Sequence, residues 1–212
     1  MMSPADIANL NIPDTFGSFD GYDISPEMED VMDQLESDVS TVWGATKFVI
    51  IFDKEVVKIP FNGMYDYEGD EFTPFIYNDY CAIEADLYDK AEDAGIEYFF
   101  AKTEYAGMTV SRTPYYISEK VYEWDSNEKN NRSRKPSEKS IEKAEEFYSN
   151  KNSIWIDNYW IALAYEYYGE KAVKKFVDFV EDNEISDFHG GNLGIREDGS
   201  PCILDYSSYL EQ

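Results

Sequence analysis

Ile185-Ser186-Asp187-Phe188-His189-Gly190-Gly191-Asn192 and, a short interval later, Asp205-Tyr206-Ser207 are the stretches on which the reading of this chain turns. Between them, Leu193-Gly194-Ile195-Arg196 and Cys202-Ile203-Leu204 read as two strands joined by a turn at Glu197-Asp198-Gly199-Ser200. A tight hairpin brings its own ends together. Asn192 stands just before the first strand and Asp205 just after the second, so their side chains are expected to converge, with Asp187 a loop away. An amide oxygen and carboxylates gathered without His or Cys suit a hard cation such as Mg²⁺. Mg²⁺ keeps few protein ligands and fills its shell with water and phosphate oxygens, so the set fits a nucleotide site better than a closed cage. In a chain with 44 acidic residues, Asp187 and Asp205 must be weighed against plain turn acids. The embedded Asn192 and the hairpin spacing favour a site. His189 is expected to be structural, hydrogen-bonding within its loop.

Working outward, the second half reads as mostly helical. Helices fit 137–149, 157–168 (Asp157 as N-cap, Trp160, Leu163, Ala164 and Tyr167 on one face) and 170–182 (Val173, Phe176, Val177 and Val180), with Gly169 as the break. The polar stretch 126–136, with its basic run at 132–135, reads as a solvated loop. In the first half, Lys47–Phe52 and Glu55–Ile59 form an expected antiparallel hairpin turning at Asp53-Lys54. A loop with Gly63, Gly69 and Pro74 follows, then a helix over 79–93 whose inward face carries Tyr80, Ile83, Leu87 and Ala91, closed by Gly95. Strands are expected at 98–103 and 115–121. Glu84 falls on the inward helix face, where a carboxylate needs a cationic partner. Lys58, inside an apolar strand, is a suitable one. Lys47 is a candidate for touching phosphate, but a solvated lysine is the expected reading.

The balance of 18 basic against 44 acidic residues gives a net charge of -26. Such a field repels phosphate backbones and argues against general nucleic-acid binding. It permits a single nucleotide escorted by Mg²⁺, and also an acidic surface that mimics nucleic acid toward a basic protein. Residues 1–38 hold ten acids and no Lys or Arg, which reads as a loosely packed acidic arm with one short helix near 27–37. The two cysteines, Cys81 and Cys202, lie in no close Cys/His cluster, so a structural zinc site is not expected. No apolar run is long enough to span a membrane and no signal-like start is present, so a cytoplasmic protein is expected.

The series Asp187, four residues, Asn192, hairpin, Asp205-Tyr206 resembles the signature of the protein-kinase superfamily. The Asp-x-His-x-x-Asn form is similar to the antibiotic and choline kinase branches, and the surrounding stretch from Ile185 to Asp205 to small phage-encoded serine/threonine kinases. The resemblance covers about 40–207. It implies an α+β, two-lobed fold: an antiparallel N-lobe sheet with one helix over 39–121, and a reduced helical C-lobe over 122–212. It further implies ATP and Mg²⁺ as ligands, Asp187 as the catalytic residue, and Asn192 and Asp205 as metal ligands. Lys58 would hold the phosphates and Glu84 would be its helix partner. Backbone groups around Glu119 and Val121 would face the adenine, and Gly44, in Trp43-Gly44-Ala45-Thr46-Lys47, would stand where a glycine-rich lid is usual.

Several departures qualify what the resemblance implies. Ile185 occupies the position of the usual His, the lid is reduced to Gly44, and Ser207 stands where Gly is usual. The chain ends seven residues after Asp205, so the ordinary hold on a peptide substrate is not expected. The acceptor implied is a protein Ser/Thr, in a host cytoplasm if the chain is phage-encoded. The competing expectation is a non-catalytic pseudokinase or an acidic inhibitor of a basic host protein.

Overall fold

The computed structural model describes the chain apart from residues 1, 15, 19–23, 36–38, 45, 62, 67–70, 75–78, 125–134, 150–154 and 208–212. Most of the loop expected over 126–136, with Arg132 and Arg134, therefore lies outside the described residues, as do Ala45 and Gly69. In chain order the regular elements are β1 (Gly17–Ser18), α1 (Pro26–Met32), β2 (Ser40–Trp43), β3 (Lys47–Ile51), β4 (Glu55–Pro60), β5 (Gly63–Asp66), β6 (Glu71–Pro74), α2 (Tyr80–Ala94), β7 (Thr103–Met108), β8 (Pro114–Glu119), β9 (Tyr122–Glu123), α3 (Glu138–Ser149), α4 (Asn158–Tyr168), α5 (Glu170–Asp182), β10 (Leu193–Ile195) and β11 (Pro201–Ile203). The fold class is α+β. The chain divides into two compact units: Met1–Ala85 with Lys102–Lys120, and Asp86–Ala101 with Val121–Gln212.

The first unit is built on a five-stranded sheet, order β2-β3-β4-β8-β7, antiparallel at every pairing. Register sorts its side chains. Phe48 pairs with Ile59 and Ile50 with Val57, while Lys58 pairs with Val49. Because successive residues of a strand alternate faces, Phe48, Ile50, Val57 and Ile59 share one face, and Lys47, Val49 and Lys58 share the other. The apolar face is closed by the N-terminal segment: Ile7, Leu10, Ile12, Phe16, Met28 and Val31 are buried in the same core. This corrects the loosely packed arm expected from the acid run. Charge repulsion there is outweighed by the apolar residues set between the acids, each fully buried Ile, Leu or Phe contributing roughly 1.5–3 kcal/mol. Ser25 caps α1 by accepting from the Met28 N–H at 3.2 Å.

A second correction concerns the loop expected around Gly63 and Pro74. There β5 and β6 form a hairpin, and β1 pairs with β5 in parallel. Met64-Tyr65 and Phe72-Thr73 are strand formers whose local preference prevails over the flanking Gly and Pro.

In the second unit the expected strand over 98–103 is instead a 3₁₀ turn, Glu97–Phe99. In a strand, alternation would send Tyr98 and Phe100 to one face and Phe99 to the other. Here the turn and the residue after it give each ring a partner: Tyr98 against Tyr168 at 4.7 Å, Phe99 stacked on Phe176 at 4.5 Å, and Phe100 against Tyr206 at 5.0 Å. Helices α3, α4 and α5 lie where the 3.6-residue spacing places them. Asp157 caps α4, its Oδ1 accepting from the Tyr159 and Trp160 N–H groups at 2.9 and 3.1 Å. Gly169 ends α4 and opens α5 at φ +81, ψ 165, a conformation essentially reserved for glycine. The buried Trp160 donates its indole N–H to the Gly194 carbonyl at 3.2 Å, tying α4 to the sheet β9-β10-β11. Arg196 donates to the carbonyls of Tyr98 and Phe100 at 2.8 and 2.9 Å, which fixes the aromatic turn to the terminal hairpin. Among the described residues no helix is long and apolar enough to cross a membrane.

Tyr168 donates its phenol to the Pro201 carbonyl at 2.6 Å, and burial pushes its pKa from the ordinary 10.0 up to about 12. Above pH 10 the unfolded chain releases this proton while the folded one keeps it. The stabilisation is thus fully present below pH 10 and lost between 10 and about 12, a loss on the order of 2 kcal/mol. The contribution of Tyr168 to the unfolding midpoint should be flat to pH 10 and then fall. In Tyr168→Phe that part of the alkaline fall should disappear; an identical fall in both proteins would refute the assignment.

Candidate functional site

Two polar clusters stand out, one in each unit. In the first unit, Asp79 precedes α2 and fixes its start. One carboxylate oxygen accepts from the N–H groups of Cys81 and Ala82 at 2.9 and 3.0 Å, and the other accepts from the Tyr116 hydroxyl on β8 at 2.7 Å. Burial, followed by the bond to Asp79, raises the Tyr116 pKa well above the ordinary phenol value. With its first turn pinned to the sheet, α2 carries Glu84 over the polar face.

Glu84 is 0% exposed. Its Oε2 accepts from Lys58 Nζ at 2.5 Å, so the pair expected from the inward helix face and the apolar strand is formed. Its Oε1 accepts from Lys47 Nζ. The Thr103 hydroxyl lies 3.4 Å from Oε2 and donates to the Ser118 hydroxyl at 3.0 Å. Lys47 was expected to be solvated; it is buried, at 4% exposure. The reason is the strand register, which sets Lys47 and Lys58 diagonally across β3 and β4 on one face, where a single carboxylate reaches both. Sequence reasoning ranked Lys47 as solvated and missed its pairing with Glu84, because a lysine at the first position of a strand gives no sign of its face until the pairing is known. Cys81 is also buried within range of these charges, and desolvation holds its thiol well above the usual value.

The second cluster is the loop and hairpin of residues 187–207. Asn192 is buried, and its Nδ2 donates to the Asp187 carbonyl at 2.9 Å, which folds the loop back on itself. The Asn192 carbonyl accepts from the Leu204 N–H at 2.9 Å, continuing the β10–β11 ladder by one step and setting Asp205 beside Asn192. Two aromatic anchors hold this frame. Phe188 forms a T-shaped ring pair with Phe176 of α5, centroids 6.3 Å apart, and Tyr206 donates its hydroxyl to the Ala101 carbonyl at 2.9 Å. Asp187 and Asp205, each next to an anchor, remain half-buried. Ser207 donates to Asp205 Oδ1 at 3.2 Å. His189 accepts the Gly191 N–H on Nδ1 at 3.1 Å, which leaves Nε2 as the protonated nitrogen of the neutral ring, 3.8 Å from Asp187 Oδ1.

Gly44, Glu119 and Val121 are placed by other contacts. Gly44 is exposed in the β2–β3 turn, its N–H donating to the Lys47 carbonyl at 3.2 Å. Glu119 ends β8, and its N–H donates to the Lys102 carbonyl at 2.8 Å. Val121 opens the second unit and lies against Gly194, where an added Cβ would come within 3.1 Å of its methyl. Lys47, Lys58 and Glu84 thus belong to the first unit, and Asp187, Asn192 and Asp205 to the second.

Asn192 Nδ2 is committed to the Asp187 carbonyl, which leaves the amide oxygen as its remaining donor atom for a cation, and the backbone ladder sets Asp205 next to Asn192 along the hairpin end. An amide oxygen and a carboxylate are hard oxygen donors of the kind Mg²⁺ takes. Among the described residues no group of three His, Cys, Asp or Glu side chains gathers to hold a metal ion. No family model, curated protein or solved structure gives a significant match to this chain.

Proposed function

We propose that this chain is an ATP- and Mg²⁺-dependent phosphotransferase of the protein-kinase-like kind, acting on a hydroxyl acceptor. The observation that carries the reading is the buried Lys58–Glu84 pair, with Lys58 Nζ 2.5 Å from Oε2. An ammonium is held in place there by a carboxylate one helix turn from a fixed cap, as a phosphate-gripping lysine requires. The looped-back Asp187–Asn192 segment beside Asp205 supports the other half.

In this reading Lys58 holds the nucleotide phosphates and Glu84 positions Lys58. Asn192 and Asp205 hold Mg²⁺, which when bound neutralises phosphate charge. Asp187 accepts the proton of the acceptor hydroxyl as its oxygen bonds to the terminal phosphorus; the bond to the bridging oxygen breaks and ADP leaves. Little further chemistry is needed, because such transfer is mostly positioning and charge neutralisation. Backbone groups around Glu119 and Val121 would meet the adenine, and Gly44 would leave room over the phosphates. The acceptor class proposed is a protein Ser/Thr hydroxyl.

The net charge of -26 also favours a second reading, an acidic binder of a basic protein on the same scaffold. Thermal unfolding with and without Mg-ATP separates the two. At about 100 times its dissociation constant a ligand stabilises the folded state by about 2.7 kcal/mol. The expected result is a rise in midpoint for the parent chain and none for Asp205→Ala. No rise in the parent would favour the binder, and a rise without phosphate transfer would indicate a pseudokinase.

A further inference from the structure

Glu84 holds two lysines, and the phosphotransferase reading uses one. Lys47 and Lys58 donate to opposite oxygens of a single carboxylate. The two oxygens of a carboxylate are only about 2 Å apart, so ammonium groups on them are neighbours within the span of one phosphate chain. The three side chains sum to a formal charge of +1 within a chain of -26. Glu84 is 0% exposed, while each lysine side chain retains 6% exposure. What surface the cluster offers therefore belongs to the two lysine side chains and not to the carboxylate. Such an arrangement holds two ammonium groups side by side on one buried glutamate.

We infer that Lys47 is a second phosphate-binding residue beside Lys58, so that the site takes a nucleotide di- or triphosphate through two ammonium groups positioned by one glutamate. This rests on the phosphotransferase reading and deepens it. The contribution of Lys47 is specific to the phosphates. A lysine that served only to neutralise Glu84 would affect all nucleosides alike.

Calorimetric titration of the full chain with Mg-ATP and with adenosine tests this, using Lys47→Gln, Lys47→Arg and Lys58→Met. Gln retains a donor to Glu84 without the charge. Lys47→Gln should weaken Mg-ATP binding roughly tenfold to hundredfold, the loss of one charge-assisted hydrogen bond, and leave adenosine unchanged. Lys47→Arg should recover most of it. Circular dichroism verifies folding; if Lys47→Gln does not fold, Lys47→Arg and Lys47→Met carry the comparison. Unchanged Mg-ATP binding in Lys47→Gln, with loss in Lys58→Met, would overturn the second-lysine role and leave the phosphotransferase reading standing. Equal weakening of adenosine and Mg-ATP would also overturn it. A parent chain that binds neither ligand would remove both proposals together.

Discussion

Glu84→Ala is expected to destabilise the folded chain by about 3–5 kcal/mol, the characteristic cost of removing one partner from a buried ion pair. Two physical terms act together. Lys47 and Lys58 lose the carboxylate that both contact, at 4% and 5% exposure. The side chain also leaves a void between helix and sheet. Against a typical total of about 5–15 kcal/mol this is a large fraction. Urea unfolding of the full chain measures it as a lower midpoint. A midpoint equal to that of the parent would mean the cluster is not held as described. Replacing the set by apolar residues (Lys47→Met, Lys58→Met, Glu84→Leu) should regain much of the loss, because a buried ion pair rarely outweighs good apolar packing. The same triple variant should bind no Mg-ATP. Stability and ligand binding would then part company, as expected of a cluster kept for its charges.

Asp187→Asn is expected to reduce phosphate transfer by roughly 10²–10⁴-fold, the usual weight of a general base, while Mg-ATP still raises the unfolding midpoint. The distinction rests on the loop. Asn192 is held by the Asp187 main-chain carbonyl, so changing the side chain leaves the hydrogen bond that orients Asn192 intact. Asp205 is positioned from its other side, through Tyr206 and Ser207. Radiolabel transfer from ATP to a mixed Ser/Thr protein substrate, read beside the thermal shift, checks both halves. Undiminished transfer in Asp187→Asn would remove Asp187 from the chemistry. Loss of the thermal shift along with transfer would instead make it a structural residue of the loop.

Much of the scaffold was readable along the chain because its signals are local. Helices α2, α4 and α5 follow the 3.6-residue spacing and end at Gly95, Gly169 and the stretch after Asp182. The β3–β4 and β10–β11 hairpins follow from strand formers around short turns. The inward place of Glu84 was legible for the same reason. Apart from the β5–β6 hairpin, where a local strand preference was passed over for its Gly and Pro, the errors have one cause, that burial is decided by partners distant in sequence. Residues 1–38 read as a solvated arm because charge is visible in sequence, whereas the sheet face that Ile7, Leu10, Ile12 and Phe16 cover is not. Tyr98-Phe99-Phe100 read as a strand because aromatics favour strands; α5 and Tyr206, far along the chain, made a turn the better burial.

By itself the amino-acid sequence determined the α+β class, the order of the helices and of the β3–β4 and β10–β11 hairpins, and the backbone closeness of Asn192 to Asp205. Each depends on periodicity or on a few residues of chain between the partners. Only the tertiary structure decided that Lys47 joins Lys58 on Glu84 and that the acidic N-terminal segment is part of a core. Both depend on strand register and on which face of a sheet is covered. A shift of one residue in that register would turn Lys47 to the face opposite Lys58 and separate the two lysines.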